Sequence, residues 1–292
     1  MPFIDFDGAK VHYEIEGSGR NITLLHGITA SLKYWCFQTE VLSKKFRVIQ
    51  IDHRGHGLSD GMMPKKAFTI HELAASAGAV LRALNVEKTI LMGHSLGGIA
   101  SLQYTLDNPD KIEALILVDT ASGIGSMTGG HRFALHLAGA MRMAKYTHRF
   151  ARKFALKRFA LGSKASEWVL NWFLDESDTV NWAAAAKIAR GLKKFDVSDR
   201  LGEIKCPTLI ICGEEDRLTP LSISEFMHGR IKGSELKIIK GAGHCSSAEK
   251  PGEFNRIMME FVEKASGFSH VFIVRAVNLR NTETREFDRI TG

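Results

Sequence analysis

The sequence predicts an α/β fold, with a mostly parallel central sheet, helices on both faces and a helical cap inserted between two strands. Three observations carry this. Short apolar runs of the buried-strand type recur along the chain, with helix-periodic segments between them. One such run ends in a glycine-rich turn that leads directly into a helix. The alternation stops at residue 123 and resumes after residue 200.

The elements follow in order. Residues 11–16 follow a turn signal at Asp7-Gly8 and read as an early antiparallel strand. Residues 22–25 and 48–52 are short buried-type strands. Residues 71–84 have helical periodicity and lead into a strand over 89–92. A helix continues over 99–106, and 114–119 is another buried strand. Residues 207–212 and 235–239 supply two more, and a helix from Pro251 to Lys264 closes the fold. Strands alternating with helices imply parallel pairing, because each parallel crossover needs a connection long enough for a helix.

Between these strands, 123–200 reads as helix, with Phe133, Leu137, Met141, Phe150, Phe154 and Leu161 as its apolar positions. The expected organisation is a core of 1–122 and 201–266, a helical cap of 123–200, and a C-terminal extension of 267–292 whose structure the sequence leaves open. There is no internal repeat and no low-complexity segment.

Composition bounds the function. The chain has 292 residues, 45% hydrophobic and 24% charged, which is ordinary for a globular domain and argues against wholesale disorder. The apolar runs are too short to span a bilayer. The N-terminus lacks a basic region followed by an apolar one, so a cytoplasmic location is expected. Cys36, Cys206, Cys212 and Cys245 form no C-x-x-C pair and are expected as reduced thiols. The net charge of +7 invites a nucleic-acid partner, but much of the excess lies in 132–158 without a phosphate loop, zinc finger or RNA-binding aromatic motif. No nucleic acid is expected as partner.

The chemistry is concentrated in Gly93-His94-Ser95-Leu96-Gly97, between a strand and a helix. This is the G-x-S-x-G nucleophile elbow in the strand–turn–helix context it requires. Side chains in place of its glycines would collide with the flanking strand and helix. The start of the helix aims amide groups at the place where an oxyanion develops.

Here the chain resembles the α/β-hydrolase superfamily, in its serine esterase, lactonase and haloperoxidase-like branch. Leu25-His26-Gly27-Ile28 follows one strand, and Asp52-His53-Arg54-Gly55-His56-Gly57-Leu58-Ser59 follows the next. The elbow is the third block. Gly213-Glu214-Glu215-Asp216 and Gly241-Ala242-Gly243-His244 form the fourth. These blocks span residues 3–264, with the insertion as the part least like the family.

The resemblance implies a triad in the chain order Ser95, Asp216, His244. A serine hydroxyl is un-ionised at neutral pH and needs an adjacent base, so His244 would take its proton and Asp216 would orient the imidazole. Glu214, Glu215 and Asp119, which ends the preceding strand, remain alternative acids; some relatives place the acid at the position of Asp119. The oxyanion hole would use the backbone amide of Leu96 and, by resemblance, that of Ile28. No metal or organic cofactor is implied. His53 and His56 lie in a structural turn of this family, which Arg54 supports, rather than at a metal, and His94 packs or bonds locally.

In the insertion, Lys145, Arg149, Arg152, Lys153, Lys157 and Arg158 read as a solvated basic face; a lid on an anionic membrane surface is the less favoured reading. His131, His136 and His148 show no ligand pattern. Trp168, Trp172, Phe173 and Trp182 fall at helical spacing, and Trp168, Trp172 and Phe173 are candidates to line an apolar acyl pocket. The expected activity is hydrolysis of small to medium apolar carboxylic esters through an acyl-enzyme. Enol-lactone, C–C bond and perhydrolase or haloperoxidase chemistry on the same triad are the alternatives, as is a hydrolase-fold binding protein. Serine at the elbow argues against dehalogenases and epoxide hydrolases, which resemble this fold but use aspartate there.

Overall fold

A computed structural model of the chain describes residues 1–60, 69–123, 149–192 and 194–267. Eight strands form one sheet: β1 (Phe3–Phe6), β2 (Ala9–Glu16), β3 (Arg20–Leu25), β4 (Phe46–Ile51), β5 (Thr89–His94), β6 (Ile112–Val118), β7 (Thr208–Gly213) and β8 (Glu235–Ile239). Their spatial order is β1-β2-β4-β3-β5-β6-β7-β8. Pairings β1–β2 and β2–β4 are antiparallel; the others are parallel.

Each central strand is buried on both faces, and alternation along it divides the core in two. Leu91, Leu115, Leu117 and Ile210 point into one core; Ile90, Met92, Ile116 and Ile211 point into the other. The first core is closed by α2 (Ile70–Ala83), α3 (Leu96–Asp107) and α7 (Leu221–His228). The second is closed by α1 (Cys36–Leu42) and α9 (Pro251–Ala265), which adds Phe254, Met258 and Val262. α2 starts at a capping box, in which Thr69 Oγ1 accepts from the Glu72 amide and the Glu72 carboxylate accepts from the Thr69 amide.

Between β6 and β7 the described residues carry α4 (Arg149–Ala155), a π-helical turn (Leu156–Ala160), α5 (Glu167–Thr179) and α6 (Trp182–Leu192). Their only strand-type pairing among the described residues is an isolated bridge between Gly123 and Asp196. α8 (Ser246–Glu249) is a single turn ahead of α9. Phe133, Leu137, Met141, Lys145, His131, His136, His148 and residues 268–292 lie outside the described residues. Among the described residues, no helix is long and apolar enough to cross a membrane.

The order places β4 and β5 on opposite sides of β3, so the chain reverses its direction across the sheet there. A crevice opens at the carboxyl ends of strands flanking such a reversal. The loop after β3 and the turn after β5 are its two walls. α3 must start very close to β3, and a Cβ on Gly97 would overlap the Leu25 carbonyl. Gly97→Ala therefore has to push the two elements apart. It should lower unfolding stability by about 1–3 kcal/mol, read from the urea midpoint at unchanged slope.

Candidate active site

β5 delivers the chain to Ser95, whose backbone stands at φ 50° and ψ −114°. This left-handed conformation is rare for a side-chain-bearing residue and persists only where surroundings enforce it. The Ser95 amide donates to the Val118 carbonyl at 2.9 Å, and Thr120 Oγ1 donates to the Ser95 carbonyl at 2.6 Å. α3 begins at the next residue.

Three groups form a continuous hydrogen-bonded chain. Ser95 Oγ lies 3.0 Å from His244 Nε2, and His244 Nδ1 lies 2.8 Å from Asp216 Oδ2. Asp216 follows β7 and is fixed by three further donors. Its Oδ1 accepts the amides of Leu218 at 2.8 Å and Thr219 at 2.9 Å, and its Oδ2 accepts Thr219 Oγ1 at 2.7 Å. With the Asp216 carboxylate as acceptor at Nδ1, the imidazole keeps its proton there and turns Nε2 to the serine as an acceptor.

The charges follow from this arrangement. Burial disfavours the protonated His244 ring, but the charge and hydrogen bond of Asp216, with Asp119 and Glu249 behind it, outweigh burial and move its pKa above the ordinary value of 6.5. Burial likewise opposes ionisation of Asp216; His244 and the Thr219 donors overcome it and lower its pKa.

Asp119 is placed differently. It ends β6 within a few ångströms of Asp216 and Cys212. Its Oδ1 accepts the Gly213 amide at 2.8 Å, and its Oδ2 accepts the Ser246 amide at 3.0 Å and Ser246 Oγ at 2.7 Å. Burial and the neighbouring Asp216 charge raise its pKa. Asp216, not Asp119, is the carboxylate on the imidazole. Glu214 and Glu215 point elsewhere, to the Gly241 amide and to Ser163.

The loop after β3 lies against the elbow: a Cβ on Gly27 would stand 3.5 Å from Ser95 Cβ and 2.7 Å from His94 Nδ1. Gly27 thus packs against the elbow, with Ile28 next to it in the loop. Leu96 is the first residue of α3, where an amide has no partner within the helix. The loop is anchored from below. Asp52 Oδ1 accepts the Leu32 amide at 2.8 Å, and His56 Nε2 bonds to the Ile28 carbonyl. His26 Nε2 accepts the His53 amide at 3.0 Å. Burial lowers the pKa of His53 to about 3 and also depresses His26 and His56, so these rings serve as neutral hydrogen-bonding groups. Arg54 is buried in the same turn, over the Phe6 ring. His94 Nε2 bonds to the His244 carbonyl at 2.8 Å.

An aromatic wall stands beside the elbow. Tyr34 stacks on His94 at 4.3 Å, and Trp172 and Phe173 of α5 approach Tyr34 at 6.3 and 6.0 Å. Trp168 stacks on the far side of Trp172 at 6.1 Å and touches Phe37 at 5.6 Å. Trp182 packs with Ile28 around Ala185, Ala186 and Ala189 of α6. Tyr34 and these alanines were not legible as site residues, because nothing in their local sequence distinguishes them from core. Basic residues of α4 and of the π-helical turn are engaged from α5: Arg149 with Asp175 and Asp178, Arg152 with Asp178, and Lys153 and Lys157 with Glu167. Phe150 and Phe154 of the same helix are 76% and 64% exposed.

Comparison with known proteins agrees with this architecture. A family model described as the alpha/beta hydrolase fold matches residues 21–166 and 124–251. RutD of Agrobacterium fabrum, named for carbamate hydrolysis, is 28% identical over 256 residues, covering 87% of this chain and 97% of that protein. The 3-oxoadipate enol-lactonase 1 of Acinetobacter baylyi is 30% identical, covering 78% of this chain and 83% of its own. Among solved structures, the esterase EaEST of Exiguobacterium antarcticum superposes with a TM-score of 0.81 at 26% identity, over 89% of this chain and 98% of that one. The chain belongs to the α/β-hydrolase fold family.

Proposed function

We propose that the protein hydrolyses carboxylic esters of small to medium apolar substrates through an acyl-enzyme on Ser95. The observation that carries this reading is the unbroken Ser95–His244–Asp216 hydrogen-bond chain at the carboxyl end of the sheet. His244 accepts the Ser95 proton as Oγ attacks the ester carbonyl. The amides of Leu96 and Ile28 receive the oxyanion, and His244 returns the proton to the leaving alcohol. Water, deprotonated by the same imidazole, then releases the acid. The helices between β6 and β7 act as a cap, with Trp172 and Phe173 lining the acyl side and Trp168 buttressing Trp172.

A lactone differs only in that its leaving alkoxide stays tethered to the acyl group. The likeness to an enol-lactonase supports lactones as the second reading. A panel of p-nitrophenyl esters and lactones, assayed with one enzyme preparation, ranks the two.

Ser95→Ala should abolish ester turnover with circular dichroism unchanged; a surviving rate moves the nucleophile elsewhere. Asp216→Asn should lower kcat by about 10⁴, as in the comparable protease triad, and Asp119→Asn by far less. The reverse ranking makes Asp119 the acid.

The base works neutral, and Asp216 holds its pKa above 6.5. In wild type, kcat/KM should therefore rise with pH through a value above 6.5. In Asp216→Asn the residual activity should rise at lower pH, because the neutral amide no longer favours the protonated ring. An acid limb that does not move removes Asp216 from contact with the base.

Trp172→Ala should alter the acyl-chain-length profile more than it alters the acetate rate, measured across p-nitrophenyl acetate, butyrate and octanoate. An unchanged profile assigns Trp172 to packing alone.

A further inference from the structure

The backbone around His244 is gripped by one side chain. Glu249, five residues on, folds its carboxylate back over the loop. Its Oε1 accepts the amides of Gly243 at 3.0 Å and Cys245 at 3.3 Å, the residues on either side of His244. Its Oε2 accepts the Gly162 amide at 2.8 Å, from the segment between α4 and α5. The His244 amide itself donates to the Ala160 carbonyl in the same segment at 2.6 Å. One direct hydrogen bond and three that end on the Glu249 carboxylate therefore tie residues 243–245 to 160–162.

The two segments are also pressed together. A Cβ on Gly162 would stand 2.5 Å from the Gly241 carbonyl oxygen and 2.8 Å from the Gly243 nitrogen. There is no room for the histidine loop to relax toward the insertion, and Glu249 prevents it from moving away. Burial raises the Glu249 pKa, while the three amide donors oppose that rise by favouring the anion. A part-buried carboxylate whose lone pairs are spent on backbone amides is a geometric device: hydrogen bonds to a charged acceptor are shorter and stronger than neutral ones.

From this geometry we infer that Glu249 is a positioning residue for the general base, holding the His244 backbone against the 160–162 segment so that Nε2 stays within reach of Ser95 Oγ. The inference rests on His244 being the base. The imidazole can swing only about its two side-chain torsions once its backbone is fixed on both sides. Asp216 sets one of these through Nδ1, and the Glu249 clamp supplies the fixed origin from which that contact is made. A displacement of about 1 Å at a reacting group can cost about 10²-fold in rate.

The test is hydrolysis of p-nitrophenyl acetate by wild type, Glu249→Ala, Glu249→Gln, His244→Ala and the double variant Glu249→Ala/His244→Ala, with folding followed by circular dichroism. Glu249→Ala should lower kcat by about 10- to 100-fold with KM within about threefold of wild type, the signature of lost transition-state alignment. Glu249→Gln keeps an oxygen for Gly243 and Cys245 but turns an N–H toward Gly162, so it should retain more activity than Glu249→Ala. In the His244→Ala background the Glu249 change should cost nothing further, because groups acting through one another are not additive. A wild-type kcat in folded Glu249→Ala, a loss confined to KM, or an equal loss in the His244→Ala background overturns the proposal. If Glu249→Ala does not fold, Glu249→Gln decides: wild-type kcat overturns it, reduced kcat with unchanged KM supports it. Undiminished turnover in His244→Ala alone instead removes the base, which is a failure of the proposed function rather than of the clamp.

Discussion

Ser95 must keep a positive φ, and much of the surrounding architecture is organised around that constraint. A strained backbone angle of this kind costs on the order of 1–3 kcal/mol and relaxes unless neighbours forbid it. Here the neighbours are β6, through the Val118 carbonyl and Thr120, and the close approach of α3 to β3 at Gly97. Both need the parallel order β3-β5-β6, which sets the elbow between two strands that are themselves buried on both faces. The two hydrophobic cores supply the rigidity, and the turn carries the strain. Ser95 is half-buried in this turn, with its hydroxyl held 3.0 Å from His244 Nε2.

The polar groups beneath the site obey a second constraint. Burying an unpaired polar group costs more than a hydrogen bond returns, so a buried polar layer has to be closed. Asp52 accepts from Leu32, Leu58 and His12, and Ser59 Oγ bridges the Asp52 carbonyl to the His12 amide. His26, His53 and His56 are neutral because charging them without solvent is unfavourable. This layer holds the loop that contains Ile28 without any group in it reacting.

Legibility in the sequence followed these constraints. The elbow was readable because its glycines answer a steric demand that recurs wherever a strand turns sharply into a helix. The parallel strands were readable because burial on both faces leaves continuous apolar runs such as those of β5 and β6. β1 was missed: Phe3–Phe6 is an edge strand of four partly exposed residues with no such run. α1 was missed because seven residues are too few to show a helical period. The sequence favoured Asp216, by its spacing to Pro220 after the strand 207–212, and kept Asp119 at the end of the preceding strand as an alternative. What separates them is three-dimensional: which carboxylate reaches Nδ1 and which is spent on the Gly213 and Ser246 amides. Tyr34 could not be found from local pattern, because His94 and Ser247 lie far away in the chain, and Glu249 could not, because the fold of its carboxylate back onto the Gly243 and Cys245 amides and across to Gly162 leaves no periodic trace.

The insertion touches both halves of the candidate site. Its Ala160 carbonyl meets the His244 amide, and its Glu176 carboxylate, buried on α5, accepts Ser31 Oγ at 2.7 Å in the loop that carries Ile28. Glu176 lies one helical turn beyond Trp172, so one helix carries the aromatic wall and the grip on the loop that contains Ile28. A bulky acyl group that displaces Trp172 must therefore strain α5 against Ser31, or else move Ser31 and Ile28 with it. Under the esterase reading, a poorly fitting substrate loses rate twice, through contact with the wall and through the position of the Ile28 amide. Under the same reading, acyl preference would depend on how far α5 can move before the loop that carries Ile28 follows, as well as on the pocket itself.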